Sequence, residues 1–347
     1  MKVLLAGGGT MGSVAPLLAV VPELQKRGQT VVFVGTVGGP EKEVVEAMGI
    51  QFFALRAAKL RRYFTARHLL VPFEFVFSLW QALRVLKAEK PDVIVSAGGF
   101  IAVPVILVGR LLGIPSVIHQ QDVRPTLSNV VCARWAKVIT TTFEESVSHF
   151  EKFASARCTV EWIGNPVRDL SVTTQTIEKN LDASVPTVLL MGGGTGATGI
   201  NELVDQSLCD IANVIHVTGK GKRSEVVNHP RYHAYEFLNA ELFEALALAT
   251  VVVSRCGLSS LTELAALRKP AIFIPMPDSH QNDNAALIQK YNAGIVLPQS
   301  SLTPASLTSQ VKILLDDADF CEAIGSHLHQ LMKLHANKKF VELIESV

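Results

Sequence analysis

Residues 3–10 read VLLAGGGT and residues 188–195 read VLLMGGGT. A short apolar strand running into a glycine turn therefore opens each half of the chain, and such a unit needs further strands and helices to cover its apolar faces. They follow in both halves. In the first, TVVFVG (30–35), DVIVS (92–96), PSVIH (115–119) and KVITTT (137–142) alternate with amphipathic helical stretches. In the second, NVIHVTG (213–219), TVVVSR (250–255) and AIFIP (271–275) do the same. This alternation gives parallel sheets with right-handed crossovers, so the sequence predicts two doubly wound, Rossmann-like α/β domains. The polar, proline-flanked run 164–187, GNPVRDLSVTTQTIEKNLDASVPT, separates them. The expected division is a first domain over 1–165, a linker over 166–185 and a second domain over 186–347, whose last helix can pack back on the first. Open α/β sheets bind ligands at the carboxyl ends of their strands, so a ligand cleft is expected between the domains.

Composition narrows the partners. A chain of 347 residues with 48% hydrophobic content can fill two cores. Its formal net charge of +1 provides no broad basic field, so a nucleic-acid partner is not expected. The five cysteines, at 132, 158, 209, 256 and 321, form no C-x-x-C pair. Neither a disulfide framework nor a zinc site is indicated, and a reducing cytoplasm fits. The start MKVLLAGGGT reads as a first strand rather than a signal segment. The longest apolar stretch, from Phe100, is broken by Arg110, two prolines and two glycines, which predicts a buried helix and strand instead of a membrane span.

Both glycine turns approach a dinucleotide fingerprint: Gly7-x-Gly9-x-x-Gly12 in full and Gly192-x-Gly194-x-x-Ala197 in looser form. A nicotinamide site also wants an acid at the end of the next strand, but VGTVGGP (34–40) and VTGKGK (217–222) have none there, which disfavours a dehydrogenase. Glycines here let the backbone come close to an anion at the following helix N-terminus. The plain alternative is a tight strand-to-helix turn that binds nothing. A third candidate anion site is SRCGLSSLTEL (254–264), where Ser259 and Ser260 fall in a first helical turn and Glu263 one turn later. There the hydroxyls and N–H groups could hold a phosphate and Glu263 a ribose, or the serines could cap the helix with Glu263 as a capping-box partner.

Together GGTMGSVAP (8–16), KPDVIVSAGGFIAVP (90–104), GIPSVIHQQD (113–122), GNPVR (164–168), MGGGTGA (191–197), RCGLSSLTELAA (255–266) and DSHQNDNA (278–285) resemble the MurG family over nearly the whole chain. That family comprises the UDP-N-acetylglucosamine:lipid I N-acetylglucosaminyltransferases of bacterial cell-wall synthesis. The resemblance implies a GT-B fold and an inverting, metal-independent transfer that needs no cofactor. The partners it implies are UDP-N-acetylglucosamine and a polyprenyl-diphosphate-linked acceptor, lipid I. Carried over position by position, its donor contacts fall on Thr10, Met11, Gly12, Asp122, Arg168, Gly194, Thr195, Leu238, Gln281 and the run Leu258, Ser259, Ser260, Leu261, Thr262 and Glu263.

Two departures bear on catalysis. Ser13 stands where the family usually has histidine, a candidate base. His119-Gln120-Gln121-Asp122 stands where it usually has HEQN, so Asp122 replaces an asparagine thought to touch the reacting sugars. Serine is no base at neutral pH without activation, so Asp122 is the expected base, Ser13 orients the acceptor hydroxyl, and His119 joins them as a catalytic candidate. A helix cap before VRPTLSN is the other reading of Asp122.

A lipid-linked acceptor implies a site on the inner face of the cell membrane. Residues 56–80 set Lys59, Arg61, Arg62 and Arg67 beside Phe73, Phe77 and Trp80, a pattern suited to an anionic bilayer surface. The other reading buries these aromatics in the core. Remaining alternatives are another GT-B lipid glycosyltransferase, a UDP-N-acetylglucosamine 2-epimerase, or a catalytically silent UDP-sugar-binding homologue.

Overall fold

A computed structural model describes residues 1–56, 71–168, 177, 181–193, 196–222, 227–238 and 241–347. The chain divides into two compact units, residues 1–168 with 333–347, and residues 169–332.

Among the described residues the first unit holds seven strands: β1 (Lys2–Ala6), β2 (Thr30–Thr36), β3 (Gln51–Leu55), β4 (Val93–Ser96), β5 (Ser116–Gln120), β6 (Val138–Thr141) and β7 (Thr159–Trp162). Their order is β3-β2-β1-β4-β5-β6-β7, and every neighbouring pair is parallel. The sheet therefore reverses direction of growth between β1 and β4. Alternation along β1 shows how it is covered. Val3 and Leu5 join one core with Leu17, Leu24, Phe340 and Ile344, while Leu4 and Ala6 join another with Leu86, Val105 and Ile106 on the opposite face. The helix Ala336–Glu345, at the chain's far end, thus completes the first unit's core.

The second unit holds β8 (Thr187–Met191), β9 (Asn213–Val217), β10 (Tyr232–Tyr235), β11 (Val251–Ser254), β12 (Ala271–Phe273) and β13 (Ile295–Val296). They run β10-β9-β8-β11-β12-β13, again all parallel. Val188, Leu190, Val251 and Val253 face a core closed by Leu307, Val311 and Leu314 of the helix Pro304–Asp316 and Ile324 of the helix Ala318–Leu331. Its growth reverses between β8 and β11.

Candidate active site

In a doubly wound sheet the loops at the reversal point part to leave room for a ligand. In the first unit the turn after β1 meets the loop after β4 there. A Cβ on Gly99 would stand 3.0 Å from the Gly8 carbonyl oxygen and 3.3 Å from Ser13 Oγ, so only glycine lets the two loops approach this closely. Ser96 Oγ ties β4 to β1 by donating to the Ala6 carbonyl at 2.6 Å. Thr10, Met11, Gly12 and Ser13 line the turn, with Gly12 exposed and the serine partly so. Ser13 Oγ lies 3.3 Å from the Gly8 carbonyl oxygen and 3.2 Å from that of Thr10. Its hydroxyl holds the turn closed, and the site has no strong base at this position.

The loop after β5 comes to the same place. Gln121 Nε2 donates to the Gly12 carbonyl at 2.8 Å. Gln120 Nε2 donates to the carbonyls of Asp122 and Arg124, at 2.8 and 2.9 Å, and Ser146 Oγ donates to that of Val123 at 2.8 Å. Asp122 is partly exposed on this braced loop. It does not cap the helix Leu127–Ala133; Thr126 does, its hydroxyl accepting from the Asn129 backbone N–H.

His119 is placed differently from expectation. It is 0% exposed, with Nδ1 2.9 Å from Thr140 Oγ1 and Nε2 3.3 Å from both Asn165 Oδ1 and Thr142 Oγ1. Burial pushes its pKa down to about 4, outweighing the opposing hydrogen bond that Asn165 Oδ1 accepts from it. A neutral imidazole with both nitrogens engaged cannot reach a substrate. His119 is therefore corrected from a catalytic to a positioning residue, joining the end of β5 to the GNPVR segment.

Glu41 went unread in the sequence. It lies five residues beyond Thr36, the last residue of β2, yet its carboxylate folds back into the core at 0% exposure. Its Oε1 accepts from the Thr36 backbone N–H at 2.6 Å and from the Thr36 hydroxyl. A Cβ on Gly8 or Gly39 would come within 2.3 Å of this carboxylate, so the glycines on either side make the room it occupies. The signal was the glycine pair Gly38-Gly39 just before an acid, which the fingerprint does not include.

In the second unit the described candidates lie beyond the carboxyl ends of β10, β11 and β12. The helix Leu258–Ala266 starts at Gly257, which has no side chain to cap it. Ser259 and Ser260 are thus its second and third residues, and the capping-box reading does not hold. An uncapped helix start at a reversal point presents N–H groups and partial positive charge to an anion. Leu238 and Leu258 are 6% exposed and Glu263 7%. Leu261 and Thr262 are turned inward at 1%, with the Thr262 hydroxyl donating to the Leu258 carbonyl at 2.8 Å, so their side chains serve the helix and its core. Gln281 Oε1 accepts from the Met276 N–H at 3.0 Å, folding the 276–281 loop beside them.

Two neighbours are excluded from chemistry. The Arg255 guanidinium donates to the carbonyls of Ile274 and Pro275 and to Gln299, clamping the end of β12. Burial pushes the Cys256 thiol up to about 12, which leaves it inert. Gly194 and Thr195 lie outside the described residues, as do Lys59, Arg61, Arg62 and Arg67.

The helix Val71–Glu89 settles the aromatic question. Ser78, Ala82 and Leu86 face the core, while Phe73 is 75% exposed, Phe77 44% and Trp80 50%. Phe77 and Trp80 stack at 5.7 Å, and the Arg84 guanidinium sits 4.9 Å over the Trp80 ring. These aromatics are an exposed stripe and not core. Among the described residues no helix is long and apolar enough to cross a membrane.

Residues 3–141 match the glycosyltransferase family 28 N-terminal domain, and residues 187–343 its C-terminal domain. The fold is also that of the Acinetobacter baumannii MurG crystal structure, at a TM-score of 0.75 and 24% identity over 100% of this chain and 99% of that one. Fold and matched domains define a two-domain glycosyltransferase of the GT-B class.

The chain is 34% identical over 328 residues to the UDP-N-acetylglucosamine–N-acetylmuramyl-(pentapeptide) pyrophosphoryl-undecaprenol N-acetylglucosamine transferase of Clostridium botulinum, covering 91% of each chain. It is 35% identical over 332 residues to the Geobacillus kaustophilus enzyme of that name, covering 92% of this chain and 91% of that one. The chain belongs to this transferase family, MurG.

Proposed function

We propose that this chain transfers N-acetylglucosamine from UDP-N-acetylglucosamine to the muramyl sugar of a polyprenyl-diphosphate-linked pentapeptide acceptor. The observation that carries the reading is the uncapped start of the helix Leu258–Ala266 with Ser259 and Ser260 in its first turn. The acceptor hydroxyl attacks the anomeric carbon, the bond from that carbon to the diphosphate oxygen breaks with inversion, and UDP departs with the electron pair. Charge gathers on the diphosphate, and a preorganised helix start stabilises it as it forms.

The acceptor proton goes to Asp122. Ser13, whose hydroxyl is engaged by backbone carbonyls, orients the attacking hydroxyl without taking its proton. The donor contacts are Thr10, Met11, Gly12, Arg168, Leu238, Leu258, Ser259, Ser260, Glu263 and Gln281. The chain works as a peripheral enzyme on the inner membrane face, docking by Phe73, Phe77 and Trp80, with Arg84 over the Trp80 ring.

The test is transfer of labelled N-acetylglucosamine to a short-chain lipid I analogue with EDTA present. Inverted product at an undiminished rate is expected. Donor binding without product would favour the silent-homologue reading, which the loss of a base at Ser13 motivates.

A further inference from the structure

The last helix does more than fill the first unit's core. Near its start, Asn337 turns its side-chain amide onto a single peptide of the GNPVR segment. Asn337 Oδ1 accepts from the Val167 N–H at 3.0 Å, and Nδ2 donates to the Val167 carbonyl at 2.8 Å. The same Nδ2 donates to the carbonyl of Ala19, the last residue of the helix Ala15–Ala19 that follows the first glycine turn, at 3.0 Å. A side-chain amide that pairs with both backbone groups of one residue fixes that residue's orientation, and so the direction in which the next residue leaves.

The next residue is Arg168, exposed at the end of the first unit. The rest of GNPVR is held from the same side. Gly164, at φ +88°, lies against Lys333, whose carbonyl oxygen would stand 1.9 Å from any Cβ placed there. Lys333 Nζ donates to the Trp162 carbonyl at 3.0 Å and lies 4.7 Å over the Trp162 ring. Phe340 packs 5.4 Å from the His119 ring, and His119 in turn meets Asn165.

We propose that Asn337 is a positioning residue for Arg168: its amide sets the Val167 peptide so that the guanidinium is preorganised for the diphosphate of the donor. A planar guanidinium fork suits a diphosphate, and its affinity depends on how much freedom is lost on binding. The inference rests on reading Arg168 as a donor contact.

A double-mutant cycle tests it, with donor affinity measured by calorimetric titration of UDP-N-acetylglucosamine, independent of turnover. Asn337→Ala should weaken donor binding about fivefold, the scale of one lost hydrogen bond's worth of ordering, and should speed amide exchange at Val167. In an Arg168→Ala background the same substitution should change donor affinity no further. Asn337→Asp, which keeps the acceptor but loses the donor, should fall between wild type and Asn337→Ala and guards against a variant that fails to fold. If the two effects multiply, or Val167 exchange is unchanged, the positioning role is overturned. If Arg168→Ala alone leaves donor affinity intact, the reading of Arg168 fails and takes the proposal with it, while the transfer reaction stands on its own assay.

Discussion

Gln121 Nε2 reaches the carbonyl of Gly12 at 2.8 Å, across the position of β4, and so joins the loop after β5 to the turn after β1. Ser13 and Asp122 are carried by these two tied loops, next to the bond that joins them. The hydroxyl and the carboxylate thus sit on separate supports that this bond couples.

Asp122→Asn should therefore lower kcat by ~10²–10⁴, the usual worth of a general base, while donor affinity stays within about twofold. Ser13→Ala should cost far less. Steady-state rates with a lipid I analogue check both, and an Asp122→Asn enzyme of full activity would remove the carboxylate from the mechanism.

Ser259→Asp places a fixed negative charge in the first turn of the helix Leu258–Ala266. The helix dipole predicts opposite signs for stability and binding: a gain of ~0.3–1 kcal/mol in the free protein, and a donor affinity reduced because the new carboxylate repels the diphosphate. Thermal melts with and without UDP-N-acetylglucosamine read both at once. Parallel losses in the two would argue against an anion site.

Two buried histidines make the fold sensitive to acid. Burial pushes His119 and His216 down to about 4, against an ordinary 6.5. Between those values the unfolded chain binds protons that the folded chain does not, so this contribution is complete above about pH 6.5 and is lost as pH falls toward 4. Each histidine contributes up to ~3 kcal/mol to that slope. His119→Asn and His216→Asn should each narrow the difference in Tm between pH 7.5 and pH 5.

Glu41→Ala should destabilise the first unit by ~1–3 kcal/mol, because it strands the buried Thr36 N–H and hydroxyl that the carboxylate accepts from. Glu41→Gln, which keeps one acceptor oxygen, should cost less. Denaturant titrations rank the two, and the opposite order would show that charge, not acceptance, matters there.

The double substitution Phe77→Ser and Trp80→Ser should leave Tm nearly unchanged, since both rings are substantially exposed, yet abolish sedimentation with anionic vesicles. Retained sedimentation would move the docking surface elsewhere.

The sequence disclosed the strands that lie inside each sheet and hid those at the rims. TVVFVG, DVIVS, PSVIH and KVITTT correspond to β2, β4, β5 and β6, which are covered on both faces and read as unbroken apolar runs. β3, β7, β10 and β13 went unread, and these are the four edge strands, half-exposed and mixed in composition, as in QFFAL and TVEW. The candidate site divides in the same manner. Its glycine turns and the serine pair at 259–260 were legible because their spacing is local. The roles of His119, Glu41 and Asn337 were not, since each depends on contacts with other elements of the fold.

Phe340, Val341 and Ile344 sit in the core of the first unit, yet they follow the whole of residues 169–332 in the chain. A ribosome therefore releases the pieces out of order. The second unit, continuous in sequence, can fold as soon as it emerges, whereas the first must wait with an open apolar seam until residues 336–345 have followed it. A stop codon a few residues beyond the second unit would spare the later-made half and cripple the earlier-made one.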